Sequence, residues 1–167
     1  MQSFIQPLRS PSLDRLSPVD ADILLANARQ LQRVVEAGQT ASLLRGKKLA
    51  LLCESEEAAD ALLFRRAAAD LGAHVAHIRP SLPELSAQRI LQHTARVLGR
   101  LYDAVECQGL ASDLVTFLGH EAGVPVYDAI ASPTHATARL ALLLGDDRPQ
   151  AERRQLILQA ALVSTLL

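Results

Sequence analysis

The chain carries only two cysteines in 167 residues, and its acids and bases nearly cancel, 18 against 17, for a net charge of −1. Cys53 and Cys107 each sit in an apolar run, which points to buried thiols in a reducing compartment and away from a disulfide framework. Without a cationic excess or a basic stripe there is no footprint for nucleic acid or for an anionic membrane surface. No apolar run reaches membrane-spanning length, and Gln2, Ser3, Gln6 and Arg9 interrupt the N-terminus where a signal peptide needs continuous apolar residues. Internal repeats and low-complexity segments are also missing. These absences lead us to expect a cytoplasmic protein with neither a nucleic-acid nor a membrane partner.

What the chain does have is a hydrophobic content of 49%, enough for one well-covered core but not for two ordinary domains at this length. Ser17, Pro18, Val19 and Asp20 form a capping-box-like start for a helix that Gly38 ends. Short apolar strands follow near Lys48–Cys53, His74–Ile78, Asp103–Cys107 and Pro125–Tyr127. Helical patterns alternate with them near Glu56–Leu71, Pro83–Leu101 and Ala111–Ala122. That alternation predicts an α/β domain, a mostly four-stranded parallel sheet with helices on both faces. After Ser132 and Pro133 a further helix runs to about Leu144. The polar break from Gly145 to Pro149 is too short for an interdomain linker and leads into a last helix to Leu167.

The segment Gly46-Lys47-Lys48-Leu49-Ala50, continued by Leu51, Leu52, Cys53 and Glu54 and closed by Leu71-Gly72-Ala73-His74, resembles the opening strand, loop and helix of the ornithine and aspartate carbamoyltransferases. So do Thr94 to Arg100 followed by Asp103 and Ala104, the strand at Val124-Pro125-Val126, and the final Ala151 to Leu166, which looks like the family's C-terminal helix. The resemblance implies the fold of the family's N-terminal, carbamoyl-phosphate-binding domain. It also implies that the amino-acid-binding domain is absent, with Gly145–Pro149 as the shortcut across it. Residues 1–145 would be the core, and residues 150–167 a helix packing back on it. The alternative for that helix is a free amphipathic oligomerisation element.

The family's phosphate-binding Ser-Thr-Arg-Thr-Arg is replaced at the matching positions by Glu57, Ala58, Ala59, Asp60 and Ala61. A helix N-terminus attracts anions through its unpaired amides and dipole. A carboxylate about 4 Å from a phosphate opposes this by roughly 4 kcal/mol per charge pair at an effective dielectric of about 20. Carbamoyl phosphate is therefore expected to bind poorly or not at all. The plainer reading of Glu56, Glu57 and Asp60 is that they complement the dipole of a surface helix. The family's carbamoyl-contacting arginine has Gln108 in its place, between Cys107 and Gly109. Its His-Pro-x-Gln motif survives only as His135, followed by Ala136, Thr137 and Ala138, and a lone histidine there serves as a cap as readily as a base. Arg89 is the one candidate for reaching a neighbouring subunit's pocket, unless it is simply an exposed helix arginine.

The expectation is thus a carbamoyltransferase-like pseudoenzyme, non-catalytic and without a cofactor, acting by binding, regulation or assembly. By the resemblance it would form a homotrimer or join a full-length carbamoyltransferase. A second reading turns the degenerate pocket of Glu54, Ser55, Glu57, Asp60, Gln108 and His135 into a receptor for a cationic or amine-bearing small molecule. A third keeps residual carbamoyl transfer, or an unrelated reaction with His135 as general base. Cys53 and Cys107 could ligate a soft metal with His135 only if both faced that pocket, and structural thiols are the simpler assignment.

Overall fold

The computed structural model describes residues 5–10, 12–38, 42–81, 87–145 and 147–167. Helix α1 (Pro18–Glu36) precedes β1 (Lys48–Leu52), α2 (Ala59–Asp70), β2 (His74–Ile78), α3 (Gln88–Leu101), β3 (Ala104–Cys107), α4 (Ser112–Ala122) and β4 (Val126–Asp128). A 3₁₀ turn at Ala136–Arg139, the single-turn helix α5 (Leu140–Leu143) and the long α6 (Gln150–Leu166) complete the chain. The four strands pair in parallel in the order β2-β1-β3-β4. The expected α/β architecture is therefore present, with the start of one helix moved. Helix α2 begins at Ala59 and not at Glu56, because Ser55 to Ala58 form a turn closed by the Ala58 amide donating to the Ser55 carbonyl. The expected start of the third helix at Pro83 lies outside the described residues.

Register sets which side chains meet. Leu52 pairs with both Ile78 and Cys107, and Cys107 with Asp128, so all four strands end at one level. Because side chains alternate along a strand, Leu49, Leu51 and Cys53 pack on one face with α1, α2 and α6, whereas Ala50, Leu52 and Cys107 pack on the other with α3 and α4. The two thiols thus lie on opposite sides of the sheet, and both are free and buried. A shared metal site with His135 is excluded by that alternation. Burial pushes both thiols up from their ordinary range, so neither offers a thiolate.

On the first face, α6 is covered along its whole middle, from Leu156 to Val163. It lies against α1 and α2, with α5 beside it. Three polar ties fasten it. Gln159 donates to the Ala67 carbonyl at 3.3 Å, the Tyr127 and Thr165 hydroxyls meet at 2.6 Å, and the Asn27 amide donates to Ser164 Oγ at 2.8 Å. Asn27 also exchanges hydrogen bonds with the main chain of Gln6. Asp20 holds the same N-terminal strap through the Arg9 amide, while Ser17 caps α1 as the sequence predicts. The Arg9 amide, then the Ser17 hydroxyl, hold the Asp20 carboxyl below its usual range.

On the second face, α3 and α4 pack together, and Gly99 permits the contact. A Cβ built there would stand 1.8 Å from the carbonyl oxygen of Ala122, a backbone atom that no rotamer change can move. Gly99→Val is therefore expected to destabilise the fold by about 3 kcal/mol or more, because the helices must part. Urea denaturation followed by circular dichroism measures it, and an unchanged midpoint would show that the helices separate freely.

Candidate functional site

Parallel α/β sheets open their crevices at the carboxyl ends of the strands, which here means residues 53–58, 79–81, 108–111 and 129–137. Of the residues expected at the site, Glu54, Ser55, Gln108 and His135 are engaged by other residues, whereas among the described residues Glu57 and Asp60 form no ion pair. Glu54 is exposed and lies 3.7 Å from Arg79. Ser55 Oγ accepts from the Glu57 amide at 3.3 Å, which is the turn that delays α2. Glu56 accepts from Arg65 at 3.0 Å and lies 3.7 Å from His77 Nδ1. The other nitrogen of that imidazole is 2.8 Å from the Cys53 carbonyl. Among the described residues, Glu57 and Asp60 have no ion-pair partner, and Asp60 is the only acid in the first turn of α2. No side chain caps that helix, since its N-cap is Ala58.

This arrangement decides between the two readings of the acids only in part. Glu54 and Glu56 neutralise the arginines nearest the loop, and Asp60 complements the dipole of α2. The cations were not foreseen. Arg65 lies nine residues from Glu56, and His77 and Arg79 come from the neighbouring strand β2 and its end. No local spacing announces either contact.

His135 stands apart from the acids. Its Nδ1 accepts from the Thr137 amide at 3.1 Å, which leaves the proton on Nε2 to be donated to Asp14 Oδ1 at 3.1 Å. Its side chain is only 6% exposed. The histidine caps the 3₁₀ turn and joins it to the N-terminal strap, so both ring nitrogens are occupied by structure. Gln108 is half-buried and turns back along its own strand, donating to Glu106 Oε2 at 3.4 Å.

Glu106 is the residue that sequence reasoning missed. It is completely buried in the middle of β3, where alternation sends its side chain to the α6 side of the sheet, and its oxygens accept from the Ile130 and Ala131 amides at 3.1 and 3.4 Å. Asp128, next to it at the end of β4, donates nothing and repels; its own carboxylate accepts from Ser112 Oγ at 2.8 Å. Burial, more than that repulsion, pushes the Glu106 carboxyl up to about 8 despite the two amides. A lone acid inside an otherwise apolar four-residue strand was the signal available.

The 730 Å³ cavity lies elsewhere, between α1, α2 and α6, lined by Leu31, Arg66, Leu71, Gln155, Leu156 and Gln159. Because it touches the last turn of α2, it belongs to the opposite edge of the sheet.

A parallel sheet of this order with its loop-and-helix crevice can be compared with known proteins. Residues 11–144 match the family described as aspartate/ornithine carbamoyltransferase, carbamoyl-P binding domain. The chain belongs to that family. The ornithine carbamoyltransferase of Actinobacillus pleuropneumoniae serotype 5b is 39% identical over 121 residues, which are 72% of this chain and 36% of the relative. The catabolic ornithine carbamoyltransferase of Burkholderia mallei is 38% identical over 118 residues, 71% of this chain and 35% of the relative. This chain therefore spans about a third of the length of such relatives. Among solved structures, the ornithine carbamoyltransferase of Pyrococcus furiosus superposes with a TM-score of 0.67 at 24% identity, covering 84% of this chain and 44% of that one. The enzyme from Gloeobacter violaceus gives 0.61 at 28% identity, covering 83% and 45%. The family match ends before α6, which the structure nevertheless packs onto the same domain.

Replacing His135 with alanine should cost about 1 kcal/mol of stability, the usual loss for a helix-capping side chain, read from the thermal midpoint. The carboxyl of Glu106 is raised in the folded chain above the ordinary 4.5, so the folded state keeps a proton that the unfolded state has already lost. Its contribution is complete below pH 4.5 and declines as pH rises through about 8. Wild type should thus lose urea resistance across that window relative to Glu106→Gln, and parallel curves for the two proteins would refute the assignment.

Proposed function

We propose that this chain is a non-catalytic carbamoyltransferase-family protein that works by binding and assembly, as a homo-oligomer or beside a full-length carbamoyltransferase. The observation that carries the reading is the chemistry at the start of α2. Where an anion would have to sit against the first helical amides, the chain offers Glu57 and Asp60, with alanine at 58, 59 and 61. Two arginines that reach this loop, Arg65 and Arg79, already face Glu56 and Glu54. At the third strand's end a neutral Gln108 replaces a charge that would offset developing negative charge on a carbonyl oxygen. His135, held by Thr137 and Asp14, has no free ring nitrogen to lend to a substrate.

A binding role keeps what this domain still has, a rigid sheet and two clothed faces. The reading in which a cationic ligand enters the acidic crevice is left with Glu57 and Asp60, since Glu54 and Glu56 are neutralised internally. It is the weaker of the two for that reason.

Calorimetric titration with carbamoyl phosphate, and an assay for carbamoyl transfer to ornithine or aspartate, test the proposal directly. No binding heat at millimolar concentration and no product are expected. The combined substitution Glu57→Ser, Ala59→Arg and Asp60→Thr should restore affinity for inorganic phosphate, because it removes two repulsions and adds a charge-assisted donor worth about 1.5–3 kcal/mol. Turnover by the unmodified protein that disappears in His135→Ala would overturn the non-catalytic reading. Native copurification with mass measurement separates a homotrimer from a mixed assembly, and a bare monomer would contradict both.

A further inference from the structure

A carboxyl group that is wholly buried inside a strand, accepts hydrogen bonds from two consecutive main-chain amides and has no cation beside it among the described residues is unusual. Glu106 is such a group. The amides belong to Ile130 and Ala131, in the turn that leaves β4 through Ala129, a non-glycine residue held at φ +53°. That turn is a hub. The Ile130 carbonyl accepts from the Thr137 hydroxyl at 3.3 Å, and the Thr137 amide donates to His135. His135 in turn holds Asp14 of the N-terminal strap. One line of contacts therefore runs from the buried carboxyl to the outer edge of the crevice.

We propose that Glu106 is a proton-held latch on the residue 129–137 turn: as the neutral acid it keeps the turn closed over the strand end, and loss of its proton to solvent opens the turn. The physical reason is desolvation. Burial disfavours the charged carboxylate, and the three N–H donors on its oxygens, from Ile130, Ala131 and Gln108, offset that only in part. Among the described residues, the groups facing it supply no cation. At the end of β1 the neighbour is the Cys53 thiol, which is protonated, while the Cys107 thiol next in β3 lies on the other side of the sheet. From β4 come the Tyr127 phenol, pushed up by burial, and the Asp128 carboxylate, which opposes ionisation. From α6 the Arg154 guanidinium reaches the same turn, but donates to the Ala131 carbonyl. Gln108 contributes one neutral amide. When the proton leaves, the way to solvate the charge is to let the turn swing out, and the Ile130–Thr137–His135 contacts move with it.

Hydrogen exchange of the Ile130 and Ala131 amides in the whole chain, corrected for the intrinsic rise with pH, reads the latch directly. Protection should fall by about tenfold for each pH unit between 4.5 and about 8 and level off above that. Glu106→Gln, which has no proton to lose, should remove that pH dependence. Gln108→Arg should remove it too, by placing a cation against the carboxylate so that the turn stays closed while charged. Protection that stays flat with pH in the wild type, or a dependence that survives in both variants, would overturn the proposal. If Glu106→Gln fails to fold, the carboxyl carbon resonance of Glu106 in the wild type still decides. A titration near the ordinary 4.5 sinks the latch, and one near 8 supports it.

Discussion

Everything in this fold depends on burying α6. A helix exposed on one side would need a polar stripe, but from Leu156 to Val163 this one is covered continuously, and the only polar residue in that span, Gln159, is satisfied by the Ala67 carbonyl. The face of the sheet beneath it is made by Leu49, Leu51 and their neighbours on α1 and α2. Without α6 that apolar surface would meet water at roughly 25 cal/mol for every Å². The helix also ties sequence ends together, since Ser164 and Thr165 reach Asn27 and Tyr127. Gln6, Asn27, Tyr127 and the end of α6 are thereby tied together on that side.

The crevice at the strand ends follows a different logic, in which charge is balanced locally. Arg65 and Arg79 meet Glu56 and Glu54 at 3.0 and 3.7 Å, and the side chain that reaches back to Glu106 is the neutral Gln108. With a glutamine there, burial pushes the Glu106 carboxyl up to about 8. The two features are chemically coherent: on this edge of the sheet Arg65 and Arg79 are met by glutamates, and the buried acid is met by neutral donors.

The sheet and its covering helices were legible because their signals are local. Apolar strands such as Leu49–Cys53 and capped helices such as Ser17–Glu36 announce themselves within a few residues, and the register of the sheet follows from the alternation. The phosphate loop was legible only by contrast, through Glu57 to Ala61 standing where other side chains belong. What stayed hidden depends on contacts between distant elements. The pairing of Glu54 and Glu56 requires β2 to lie beside β1, and the delayed start of α2 comes from the Ser55 turn. Glu106 looked like an ordinary strand residue until the turn after β4 was folded over it. His135 was read as cap or base, and its partner Asp14, which belongs to the N-terminal strap, favours the cap.

The opposite orientation of Cys53 and Cys107 has a practical corollary. Each sulfur is sealed beneath a separate helical layer, one under α1, α2 and α6 and the other under α3 and α4. A thiol-modifying reagent would therefore label each only when its own layer lifts, so the molecule carries a built-in pair of reporters on the independent loosening of its two sides.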